Sequence, residues 1–204
     1  MSSVKNKPSR RPNTFWRLVP NTEGIQVRVI KGYDFDPGKF DYLQLIQGTF
    51  FKGNLPPDVR LRLEPGSNPL ADYPGNALGW PIMSERLVKA LWRFIKDSVQ
   101  LIPAPLYERN SDELVTGYSI VNVLKILNCI DVSRSVPWYD GKRLGGFYEK
   151  CIDPKRTKKE HIFHCRIPPK GVDYGVTCSY DLVKSLVGKR FTGMAFLRCR
   201  APDD

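Results

Sequence analysis

Three features of the sequence predict an α+β fold built from mainly antiparallel sheet and two helices. An eight-residue unit occurs twice: Ser84-Glu85-Arg86-Leu87-Val88-Lys89-Ala90-Leu91 returns 95 residues later as Ser179-Tyr180-Asp181-Leu182-Val183-Lys184-Ser185-Leu186. The register holds into Val99-Gln100-Leu101-Ile102 opposite Met194-Ala195-Phe196-Leu197, so each copy reads as one duplicated strand–helix–strand unit. The remaining chain breaks into short β-prone runs separated by Pro and Gly.

In chain order, Phe15 to Val19 and Gln26 to Ile30 are the first predicted strands, separated at Pro20-Asn21-Thr22-Glu23-Gly24. Tyr42 to Ile46 and Val59 to Leu63 follow the same pattern, with Pro56-Pro57 and Pro65-Gly66 as stops. The passage from Pro65 to Pro81 is long for a connection, and is either a functional loop or irregular packing. In each helix, Ser84 or Ser179 is placed to cap open backbone N–H groups, with Glu85 or Asp181 in the acid-favouring first turn. Leu87, Val88, Leu91 and Trp92 recur as Leu182, Val183, Leu186 and Val187, one apolar face in each copy. Gly188 is placed to end the second helix.

Between the copies, Leu101 to Tyr107 and Tyr118 to Leu127 flank the polar Glu108-Arg109-Asn110-Ser111-Asp112, which predicts a hairpin. Residues 131–147 read as loop, and Tyr148 to Ile152 and His161 to Ile167 as strands around a basic run. Residues 1–13 are too polar to offset chain entropy and are expected to form a disordered basic tail. Residues 14–204 are expected to form a single globular domain, two-lobed if a sub-boundary falls near 108–117.

Apolar residues make up 41 % of the chain and aromatics 11 %, enough for a sizeable core. No run approaches the roughly 18–20 apolar residues of a membrane span, and the N-terminus lacks the apolar region of a secretory signal. A cytoplasmic location is expected. The five cysteines are widely spaced and are expected to be reduced and buried rather than a disulfide framework.

The net charge of +11 favours an acidic partner: nucleic acid, an anionic membrane surface or an acidic protein. The cations concentrate in the first 20 residues, in Lys155, Arg156, Lys158 and Lys159, and near the C-terminus. Arg86, Lys89, Arg93 and Lys96 also form a stripe opposite the apolar face of the first helix. An ordinary solvated face and a docking surface both account for it.

Catalytic chemistry finds little support. His161 and His164 fall on opposite faces of a strand. Cys151 and Cys165 lack the C-x₂-C spacing of a zinc site, and nothing marks a cysteine as activated. Asp34 and Asp36 belong to a turn, and Asp112 and Glu113 to a hairpin tip. Leu144-Gly145-Gly146-Phe147 does not cradle phosphate, and no nucleotide loop occurs. The expectation is a protein that is not an enzyme and has no cofactor. Nucleic-acid binding is the alternative, with phosphates on the tail and on Lys155–Lys159 and bases stacked on Phe163, although no recognition motif is legible.

The stretch Leu78-Gly79-Trp80-Pro81-Ile82-Met83-Ser84-Glu85-Arg86-Leu87 resembles the strand-Ser-x-x-Leu entry of a bacterial immunity-protein family, once known only as a domain of unknown function. Tyr118 to Asn122, Cys129-Ile130-Asp131, Ile162-Phe163 and Cys178-Ser179 through Thr192-Gly193-Met194-Ala195-Phe196 match in order, covering roughly residues 41–200. The family is associated with polymorphic and type VI secretion toxin systems. The resemblance implies a cytoplasmic protein that binds and occludes a cognate toxin. Inhibitors that mimic a nuclease's substrate are usually acidic, so this basic chain implies a toxin with an acidic surface. Candidate partner-binding residues are Arg86, Lys89, Arg93, Lys96, Arg109, Lys155, Arg156, Lys158 and Lys159.

Overall fold

Ser84 and Ser179 cap their helices as their positions predict: the side-chain oxygens accept from Leu87 N and Leu182 N, each at 3.3 Å. The computed structural model describes residues 13–21, 26–36, 38–169 and 171–202. The expected tail lies outside these residues except for Asn13. The described chain runs through β1 (Phe15–Pro20), β2 (Ile30–Asp34), β3 (Arg60–Leu63) and β4 (Ile82–Ser84) into helix α1 (Glu85–Ile95). It continues as β5 (Val99–Pro103), β6 (Leu106–Tyr107), β7 (Leu114–Val115), β8 (Tyr118–Val123) and β9 (Ile126–Leu127). Then come β10 (Val136–Asp140), β11 (Arg143–Glu149), β12 (Ile162–Ile167), β13 (Gly171–Ser179), helix α2 (Tyr180–Leu186) and β14 (Met194–Arg198).

The fold is α+β. Four sheets have the orders β14-β1-β13-β12-β9, β2-β3-β6-β7, β4-β8-β5 and β10-β11. Among the described strands only the β3–β6 and β9–β12 pairs are parallel. Both helices lie between an entry and an exit strand that pair antiparallel with one strand between them. That strand is β8 for β4 and β5, and β1 for β13 and β14. The helices meet over a core formed by Leu87, Val88, Leu91 and Ile95 with Leu182, Val183 and Leu186, backed by Val121, Val123 and Val176. Truncating one such leucine to alanine typically costs about 2–5 kcal/mol. A second core, around Leu45, Leu61, Leu63 and Trp80, lies under β2, β3 and β6. A third, around Phe15, Phe163 and Ile152, joins β12 to the β11 segment.

The strands at Phe15, Arg60 and Ile162 begin within a residue of their predicted starts, and Gly188 (φ +82°) follows α2 as expected. Several other expectations are corrected. The fourth position of each apolar face points outward: Trp92 is 46 % exposed and Val187, past the last turn of α2, 59 %. Gln26 to Ile30 is not a strand. Arg28 makes only an isolated bridge to Leu70, and pairing begins at Ile30.

Tyr42 to Ile46 is a 3₁₀ helix over Tyr42–Leu45, started by Asp41, whose carboxylate accepts from Leu43 N at 3.1 Å. The expected long hairpin splits at Pro103-Ala104-Pro105, where the chain leaves one sheet for another. β5 stays on β8, whereas β6 joins β3 and β7. Residues 131–147 are not loop but a 3₁₀ turn followed by most of the β10–β11 hairpin, closed at Gly141 (φ +59°). Tyr148 to Ile152 is not a separate strand: β11 ends at Glu149, and Cys151 and Ile152 make isolated bridges. The Pro65–Pro81 passage is irregular but packed, burying Ala71, Asp72, Tyr73, Leu78 and Trp80.

Candidate protein-binding site

The nine candidate cations have different local environments. Arg86, at the start of α1, is exposed but held in place. Its guanidinium grips Asp72 through Nε–Oδ1 at 2.6 Å and Nη2–Oδ2 at 2.5 Å, donates to the Arg190 carbonyl and lies 5.0 Å from the Phe191 ring centroid. Asp72 also accepts from Ser84 Oγ (2.6 Å), Thr192 N (2.9 Å) and Thr192 Oγ1 (3.1 Å). Burial alone would raise the Asp72 pKa, but hydrogen bonds from Arg86, Ser84 and Thr192 bring it below the ordinary value. Arg86 therefore ties the α1 cap to the approach to β14. Lys89 is engaged with Glu85, one turn back on the exposed face, at 2.8 Å.

At the other end of α1 the cations face solvent. Arg93 lies 4.5 Å from the Phe94 ring, and exposed Lys96 closes the helix, where a cation is favoured by the dipole. Neither has an ion-pair partner among the described residues, and Asp97 beside them is also unpaired. Trp92 and Lys96, one turn apart, share a helix face.

The Lys155–Lys159 segment is brought to this same end. Asp153 starts a 3₁₀ turn over Pro154–Arg156 by accepting from Lys155 N at 3.0 Å, and it pairs with Arg156 at 3.1 Å. Lys158 and Lys159 then take left-handed backbone, with φ of 52° and 63°. Three contacts pin the end of the turn. Ser98 Oγ donates to Glu160 Oε2 at 2.7 Å, the His161 ring meets Phe94 edge-on at 5.0 Å, and His161 Nδ1 lies 2.8 Å from Ser179 Oγ. The turn is thus fixed against α1 and the α2 cap together. Lys158 and Lys159 adjoin Glu160, and Lys96 lies two residues before Ser98, so these contacts bring the turn beside the end of α1, and the exposed residues that flank them, Trp92, Arg93, Lys96, Lys158 and Lys159, form the candidate rim. Lys125, absent from the sequence-derived set, reaches the rim but pairs with Glu160 at 3.6 Å. Arg109 lies elsewhere, on the exposed β6–β7 tip beside a groove with Asp34 and Arg62.

The inward side of β12 has different chemistry. Lys150, 3 % exposed, pairs with Asp173 at 2.8 Å. Burial opposes the Lys150 charge, but the attraction of Cys165 and Asp173 holds its pKa above the ordinary lysine value. His164 is buried, and that burial lowers its pKa to about 4. Phe163 is fully buried and cannot stack on a base, which removes the aromatic part of the nucleic-acid alternative. All five cysteines are buried free thiols. Among the described residues no three His, Cys, Asp or Glu side chains converge as metal ligands, and no helix is long and apolar enough to cross a membrane.

The chain matches the Imm11 immunity protein family model over residues 5–201. It belongs to that family. No curated protein sequence matches it. Membership implies neutralisation of a cognate toxin by a non-enzymatic inhibitor. The candidate rim presents an exposed tryptophan, an arginine and lysines on an anchored scaffold.

Proposed function

We propose that this immunity protein neutralises its toxin by steric occlusion, docking the Trp92–Lys96 end of α1 and the Lys158–Lys159 turn against an acidic toxin surface. The observation that carries the reading is the pinning of the Lys158–Lys159 turn beside the end of α1 that bears Arg93 and Lys96, cations with no ion-pair partner among the described residues. Opposite charges speed encounter, and contact with Trp92 slows dissociation. The partner is a polymorphic toxin of the type VI secretion class, met in the cytoplasm before export. Residues 14–204 act as one domain, a reading supported by β8, which supplies Ile120 to one core and Val121 to another. We read the two strand–helix–strand units as copies of one ancestor, supported by their common cap and strand arrangement.

Co-expression with the product of the adjacent toxin gene tests the function. The chain restores growth and co-purifies with the toxin; persistent growth arrest with no complex would rule the proposal out.

A further inference from the structure

The β10–β11 hairpin holds an exposed tryptophan in an unusual seat. A Cβ on Gly145 would lie 2.1 Å from Trp138 Cζ3, and one on Gly146 2.8 Å from Trp138 Nε1. The indole therefore lies flat on the strand backbone, a position only glycine permits. Adjacent glycines weaken a strand, yet here they fix an aromatic side chain that is still 39 % exposed.

Beyond the indole lies a groove of about 460 Å³, walled by Tyr174, Ile167 and Pro168 and bordered by Arg143. Arg143 and its neighbour Lys142 have no ion-pair partner among the described residues. Asp140, across the turn from Arg143, is the one acid lining the groove and is likewise unpaired. The turn at the groove's edge, Asp140-Gly141-Lys142-Arg143, thus carries two cations against one acid.

We propose that this groove is an anchoring site for an acidic segment of the cognate toxin. A toxin carboxylate faces Arg143 and Lys142 while an apolar side chain lies on Trp138 and Tyr174. The inference rests on the toxin-binding reading above and adds a contact at the opposite end of β12 from the rim. Charge complementarity selects the occupant, and the pre-seated indole lowers the ordering cost of binding.

Titration calorimetry with the adjacent gene's toxin, in an inactivated form, tests the site. Trp138→Ala weakens binding by about 30-fold or more, as a buried aromatic anchor does, and Arg143→Glu by about 10-fold or more. Tyr148→Ala, which removes an exposed aromatic outside the groove, leaves Kd within about twofold. Thermal melts verify that the variants fold; Arg143→Glu removes no side-chain hydrogen bond or ion pair among the described residues and carries the test if Trp138→Ala melts early. Wild-type binding unchanged in both groove variants overturns the groove while leaving the proposed function standing. A wild-type chain that binds no toxin overturns both.

Discussion

The two ends of helix α1 carry the same type of side chain to different purposes. At the N-terminal end, Arg86 closes on buried Asp72 and joins the helix cap to the approach to β14. At the C-terminal end, Arg93 and Lys96 have no ion-pair partner among the described residues, and the turn bearing Lys158 and Lys159 is pinned nearby through Glu160 and His161. A net charge of +11 therefore does not map an interface. Cations with a buried acid partner hold the fold, and those without one are available to a partner.

Lys150 gives the sharpest test of the structural half of that contrast. Lys150→Ala leaves the largely buried Asp173 without its lysine partner, held only by the Gly175 N–H and the more distant charge of Arg17, and lowers unfolding free energy by about 3 kcal/mol in urea titrations. Removing both partners with apolar residues, as in Lys150→Met with Asp173→Leu, recovers most of the loss.

Acid acts on the same interior. The His164 pKa is about 4 in the folded chain, against 6.5 for an ordinary histidine, so the unfolded chain takes up a proton first as pH falls. The stability linked to this group is fully present above about pH 6.5 and is lost progressively toward pH 4, by about 3 kcal/mol. Asp72 and Asp173, whose pKa values are lowered, add losses of the same sign at lower pH. Urea unfolding between pH 7.5 and 4.5 checks the slope, and His164→Gln flattens it.

Arg86→Ala removes the charged hydrogen bonds to Asp72. Because Arg86 is itself 61 % exposed and water can replace part of the interaction, the expected loss is about 1–3 kcal/mol by thermal or urea denaturation. By contrast, Lys96→Glu, Lys158→Glu and Lys159→Glu each change stability by less than about 0.5 kcal/mol. A large loss from the rim variant would break the comparison by showing that these cations also hold the fold.

The parts legible in the sequence depended on near neighbours. Ser84, Ser179 and the spaced leucines place both helices because a cap and an apolar stripe are complete within a few residues. Segments whose partners are distant or unusual are not legible from near neighbours. Asp41 starts a 3₁₀ helix in a run of strand-like composition. Gly145 and Gly146 look like strand breakers until Trp138 is seen lying on them. The role of Arg86 depends on Asp72, in an irregular passage with no periodic pattern. The rim depends on Ser98–Glu160 and Phe94–His161, contacts that no local window contains.

The most direct test is the association rate of the inactivated toxin with three forms of the chain: wild type, the Lys96/Lys158/Lys159→Glu triple variant and Arg86→Ala, at low and moderate salt by stopped flow. The triple variant should associate about 10-fold or more slowly at low salt and lose most of its salt dependence, because steering depends on the unpaired rim cations. Folded Arg86→Ala should associate within about twofold of wild type. A triple variant as fast as wild type, or an Arg86→Ala variant slowed in its place, would contradict the assignment of toxin binding to the rim.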